Sequence, residues 1–148
     1  MKKIAFTGSR RVTEAQSKQV WQRLLKLPRD CQWHVGDADG VDRLVRTFAQ
    51  EFQIDLVVHR VTGYERWAFA ERSQRMIKAI ADSPESLLIA FPNKPCPDKC
   101  RPAKSFNGHR SGTWGTISFA KHKGLDIDIF PLLTIRGKEE IRVKLNTM

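Results

Sequence analysis

Four short segments combine glycine, hydroxyl-bearing and charged residues at spacings that suit an anionic ligand. The first is Gly8-Ser9-Arg10. Glycine lets backbone turn sharply and approach a ligand, serine offers a hydroxyl, and arginine can fork onto a phosphate. The second is Gly36-Asp37-Ala38-Asp39-Gly40-Val41-Asp42. Asp37 or Asp39 suits the N-cap of a following helix, Asp42 suits its first turn, and the acids could also accept from ribose hydroxyls. They do not make a complete hard-metal ligand set. The third is Arg72-Ser73-Gln74-Arg75-Met76, whose two arginines share one helix flank. The fourth is Ser111-Gly112-Thr113-Trp114-Gly115-Thr116, a small-residue loop entering a helix, where exposed N–H groups and the helix dipole favour an anion. Trp114 either stacks on a base or sugar or packs as core.

Other constellations are weaker. The fourth segment lacks the Gly-Lys-Ser/Thr ending of a Walker loop, and the dinucleotide fingerprint does not follow the first strand. Cys96 and Cys100, with His109, have zinc-ligand spacing but no fourth ligand. The alternative is free thiols in a flexible loop, and Cys31 reads as structural. Four histidines (34, 59, 109 and 122) are available to a Ser/His/Asp triad, but no serine sits in a Gly-x-Ser-x-Gly elbow. No catalytic residue, cofactor or metal is assigned.

The elements that must position these segments follow from periodicity. Lys3 to Thr7 reads as a strand, Thr13-Glu14-Ala15-Gln16 as a capping box, and the helix behind it buries Val20, Leu24 and Leu27. Trp33 to Val35 is a short strand. Val41, Leu44, Val45, Phe48, Ala49 and Phe52 then form one helical face. Ile54 to His59 is a strand, Tyr64 to Ala81 one or two helices, and Leu87 to Phe91 a strand buried on both faces. Residues 92–111 form a long loop. Thr113 to Lys123 is helical and closed by Gly124, Ile127 to Leu132 is a fifth strand, and 133–148 is a basic tail. Five strand–helix alternations predict one α/β domain over 1–148: a Rossmann-like parallel sheet of about five strands with helices on both faces. Ligands of such sheets sit beyond the carboxyl ends of the strands, where the strand-exit segments fall and which the helix carrying Arg72 and Arg75 can reach.

Composition narrows the partner. The chain carries 26 basic and 16 acidic residues, a net charge of +10. Residues 1–50 and 101–148 carry +5 each and the middle is neutral. No block of five like charges marks a basic tail of the disordered kind. Such an excess attracts anions, whether nucleotide, nucleic acid or an acidic surface, and also serves solubility. The longest apolar run, Leu87–Phe91, is far too short for a membrane span, and Ile4-Ala5-Phe6 is too short for a signal peptide. Three unevenly placed cysteines argue against a disulfide framework. A cytoplasmic protein is expected.

Together the four segments resemble the SLOG superfamily, in the branch of small YspA-like proteins. Members show Gly-Ser-Arg after strand one, Gly-x-Ala-x-Gly-x-Asp after strand two, an Arg-Asn-x-x-Met helix, and a Gly-Thr-bearing loop after strand four. The resemblance spans residues 3 to about 132, with Ser73 replacing the usual asparagine. It implies binding of a nucleotide or a nucleotide-derived, ADP-ribose-like ligand, as a sensor or sequestering module. Phosphate would rest on Gly8–Arg10 and Gly112–Thr116, Arg10 and Arg72 would supply charge, and Asp37 or Asp42 would order the loops or meet ribose. Two related families imply alternatives. The DNA-processing protein A family shares the first two motifs and implies binding of single-stranded nucleic acid. The lonely-guy phosphoribohydrolases imply N-glycoside hydrolysis, but their catalytic glutamate aligns with Phe119 here, leaving Asp42 or Glu71 as candidates. Pairing of related folds through helices implies a homodimer.

Overall fold

Alternation along the first strand decides the layering. In the computed structural model, which describes residues 2–132 apart from 66 and 108, β1 (Lys3–Gly8) sends Ile4 and Phe6 to one side and Ala5 to the other. The remaining elements follow as α1 (Glu14–Leu24), β2 (Gln32–Gly36), α2 (Val41–Glu51), β3 (Leu56–His59), α3 (Trp67–Ala81), β4 (Ser86–Phe91), α4 (Gly112–His122) and β5 (Asp126–Ile129). All four strand pairings are parallel, in the order β3-β2-β1-β4-β5. The expected Rossmann-like sheet with helices on both faces is present.

Two cores lie on opposite faces of the sheet. Val20 and Leu24 of α1 and Val41, Val45 and Phe48 of α2 meet Ile4, Phe6, Trp33, Val35, Ile89 and Phe91. Trp33 is stacked on Phe48, 5.6 Å between ring centroids. On the other face, Met76, Ile77 and Ile80 of α3 and Trp114, Ile117 and Ala120 of α4 meet Ala5, Leu88 and Ala90. Both halves of the capping box form: the Thr13 side chain accepts from the Gln16 N–H, and Gln16 Oε1 accepts from the Thr13 N–H.

Some boundaries differ from expectation. The first helix ends at Leu24, and Leu27 packs on the core from the turn beyond it. The segment from Tyr64 holds one helix, which starts at Trp67 and leaves Tyr64 wholly exposed. The fifth strand is Asp126–Ile129 instead of Ile127 to Leu132, although the Phe130 and Leu132 N–H groups still donate to Ala90 O and Pro92 O and carry the chain on beside β4. The expected tail, 133–148, lies outside the described residues. Among the described residues, no helix is long and apolar enough to cross a membrane.

Candidate functional site

The sheet order reverses at β1: the chain moves outward through β2 and β3, then returns to place β4 on the other side of β1. Loops leaving β1 and β4 therefore diverge and leave a crevice between them, the usual ligand position in an open α/β sheet. A cavity of about 410 Å³ lies there. Gly8, Ser9 and Arg10 form one wall, and Asn93 and Lys94, after β4, form another. Asn93 Nδ2 donates to Ser9 Oγ at 2.7 Å, tying the two loops together. Ala38 and Asp42 come from the β2–α2 connection, Phe69, Arg72 and Ser73 from α3, and Ser111, Gly112 and Thr113 from the start of α4.

Arg72 is a buried cation of this site. It is 7% exposed, and its Nη1 donates to Asp37 Oδ1 at 2.7 Å while standing 3.9 Å from Asp42 Oδ2. Its Nε is buried with no hydrogen-bond partner. Asp37 also accepts from the Val61 N–H at 3.0 Å. Burial raises the Asp37 carboxyl, but Val61 and Arg72 outweigh it, and Asp37 titrates below its ordinary value. At Asp42 the balance reverses. Its burial pushes the carboxyl up to about 6, against the pull of Arg72, the Ala38 N–H and Arg46. The difference is first one of burial, since Asp42 is buried and Asp37 partly exposed, and second one of partners, since Asp37 accepts from the Val61 N–H and from Arg72.

Backbone geometry makes this grouping possible. A Cβ on Gly36 would stand 2.6 Å from both Arg72 Nη1 and Asp42 Oδ2. Gly40, at φ +70°, starts α2 without a side-chain cap, so neither Asp37 nor Asp39 has the capping role expected of one of them. A Cβ there would meet Ser9 O at 2.2 Å. Arg46 Nη1 donates to the carbonyls of Gly36 and Ala38 at 2.9 and 2.8 Å and fixes the same turn.

The fourth segment divides by direction. Ser111 caps α4, accepting from the Trp114 N–H at 3.1 Å. The N–H groups that open a helix have no acceptor inside it, and those of α4 start at the cavity. Gly112 has nothing within 4 Å of where a Cβ would stand, so this end is open. Trp114 resolves to core: its ring is fully buried and Nε1 donates to Lys94 O at 2.8 Å, although the residue borders the cavity. Thr116 turns its hydroxyl onto Gly112 O, and Gly115 packs so closely on Phe106 that a Cβ would lie 2.4 Å from the ring. Gly36, Asp37, Gly115 and Thr116 therefore support the cavity without lining it.

The two arginines expected on one helix flank differ in burial, and Arg72 is the buried one. Arg75 does lie toward solvent, forked onto Glu71 through Nε and Nη2 at 3.0 and 2.9 Å. Cys96 and Cys100 are free thiols in the β4–α4 connection as expected, but both are buried in the α3–α4 core. Burial pushes the Cys100 thiol up to about 11. Both ring nitrogens of His109 are engaged, by Ser105 O and by the Ser111 N–H. Among the described residues no three His, Cys, Asp or Glu side chains group to hold a metal. Phe119 packs against the α3–α4 core and does not line the cavity, nor does Glu71, whereas Asp42 does.

Sequence reasoning missed Lys94, Asn93, Arg110 and Phe69, all at the cavity. The first three carry no motif. Phe69 stands three residues before Arg72, so helical spacing from Arg72 was the signal that could have found it.

No family model and no curated protein matches the chain. Among solved structures, the X-ray structure of DNA processing protein A from Streptococcus pneumoniae is similar, with a TM-score of 0.68 at 17% identity. The similarity covers 92% of this chain and 52% of that one, so the chain spans about half the length of that protein. At this identity the likeness establishes a shared Rossmann-like fold.

Proposed function

We propose that the protein binds a phosphate-bearing, nucleotide-like ligand in the crevice between β1 and β4. One observation carries the reading: the cavity draws together Arg10, Arg72, Lys94 and Arg110 at the open N-terminus of α4. Its carboxylate, Asp42, is buried beside Arg72. Cations over helix N–H groups suit phosphate, and the unpartnered Arg72 Nε offers a further donor. It shares Gly8–Arg10, Arg72 and Gly112–Thr113 with the site implied by the SLOG resemblance and adds Lys94 and Arg110, with an ADP-ribose-like molecule or a simple nucleotide as ligand.

Thermal shift and calorimetry against nucleoside monophosphates, cyclic nucleotides and ADP-ribose test it. A ligand present at a hundred times its Kd adds about 2.7 kcal/mol, a rise of roughly 8 °C in a domain of this size. The double variant Arg10→Ala/Arg110→Ala should lose most of that rise. A folded protein that binds none of these compounds removes the reading.

A second reading is supported by the surface around the cavity. Tyr64 and Trp67 are largely exposed close to Phe69 in the chain, as suits bases of a single strand stacking on aromatic rings. The structural neighbour is named as a DNA-processing protein. Oligonucleotide binding that outlasts competition by mononucleotides would favour this reading over the first.

A further inference from the structure

Phe69, Ala70, Arg72 and Ser73 of α3 line the cavity. Phe69, Arg72 and Ser73 stand at i, i+3 and i+4, and the same helix face continues to Met76 at i+7 in the core, which makes a graded stripe. Met76 is in the core, Ser73 and Arg72 are buried at the cavity, and Phe69 is 44% exposed at its outer end. Phe69 belongs to neither core cluster. Its contact of note is the Arg10 guanidinium, 4.4 Å from the ring centroid. An aromatic residue that packs in no core gains little for the helix, since alanine is the better helix former. Its ring instead borders a cavity in which Arg72 and Asp42 are buried, whereas Arg10, Lys94 and Arg110 are exposed.

We infer that Phe69 is the seat for the aromatic base of the ligand whose phosphate enters this cavity, an inference that rests on the phosphate-binding reading above. The order along α3 fits such a molecule end to end, with the phosphate toward Arg72 and the α4 N-terminus and the base at the rim. Arg10 covers the ring in the free protein. When phosphate enters, Arg10 turns from the ring to the anion, and the base takes its place on the ring. A flat π-face accepts any base, so the seat selects nucleotides over sugar phosphates without choosing among bases.

The test measures two probes by calorimetry, ribose 5-phosphate and adenosine 5′-monophosphate, and reads the ratio of their affinities. In the wild-type protein the base should improve affinity about tenfold or more. In Phe69→Ala that ratio should collapse toward one, and Phe69→Trp should restore it. The exposed position of Phe69 makes both variants compatible with folding, checked by an unchanged melting profile. Equal affinity of the two probes in the wild type, or a ratio that survives in Phe69→Ala, overturns the base seat and leaves the phosphate site standing. Failure of both probes to bind overturns the phosphate site and the seat with it.

Discussion

Asp37 and Asp42 flank one guanidinium and respond to pH in opposite directions. Asp42 has its carboxyl raised to about 6 from an ordinary 3.8, so its contribution to stability is present below pH 3.8 and lost as pH rises through 6. Asp42→Asn removes that loss. Urea melts should show this variant gaining on the wild type as pH goes from 4 to 7.5. Asp37 is lowered, so its contribution is present above pH 3.8 and lost as pH falls through its depressed value. Asp37→Ala leaves Arg72 without its short hydrogen bond. The cost should be about 2 kcal/mol at pH 7, below the full penalty for breaking a buried pair because Asp37 is partly exposed. Much of this site was legible as residue types. Gly8-Ser9-Arg10, Asp42, Arg72 and Ser111-Gly112-Thr113 all reach the cavity. Direction was not legible: Trp114 and Thr116 carry the right chemistry for a ligand yet point into packed protein, which depends on neighbours distant in sequence.

At the scale of elements, β2 and β3 are joined by an unusual pair. His34 Nδ1 and His59 Nε2 are 2.9 Å apart with the rings stacked, and His34 Nε2 meets Gln32 Oε1 at 2.8 Å. The amide oxygen requires a proton on His34 Nε2, so neutral His34 accepts at Nδ1 from the His59 N–H. Burial first, then His59, lowers His34 to about 4, and burial with Arg75 and Arg72 lowers His59. The unfolded chain therefore takes up protons first. Stability contributed by this pair is complete above pH 6.5 and declines as pH falls toward 4, the reverse of Asp42 over the same range. Replacing His34 with glutamine should flatten the acid side of a pH–stability curve measured by urea midpoints. At the start of α2, Gly40→Ala should cost about 2 kcal/mol or more in the same assay, since it combines a positive φ with overlap on Ser9 O. Element types followed from alternation and helical period, as in β1 and α2. The end of β5 did not, because the apolar run to Leu132 continues beside β4 through the Phe130 and Leu132 N–H groups, while regular pairing stops at Ile129.

For the whole molecule, the +10 charge sets a field and the cavity gives it a focus. The two proposed ligand classes separate by salt. A mononucleotide neutralised at a few contacts should lose affinity modestly between 50 and 200 mM salt. An oligonucleotide making about six phosphate contacts should lose on the order of a thousandfold. Fluorescence anisotropy across that range decides between them. The return of the chain across the sheet has one more outcome. The cavity takes its walls from Gly8–Arg10 after β1, Asp42 after β2, Phe69 and Arg72 of α3, and Asn93 and Gly112 on either side of the β4–α4 connection, which meet only after β4 has docked on β1. No early fragment of the nascent chain holds the pocket, which is complete only when β4 and the start of α4 are in place. A bound ligand would thus act as a clasp on the entire sheet. Amide exchange should slow in all five strands together, and unfolding should slow while the rate of folding stays nearly constant.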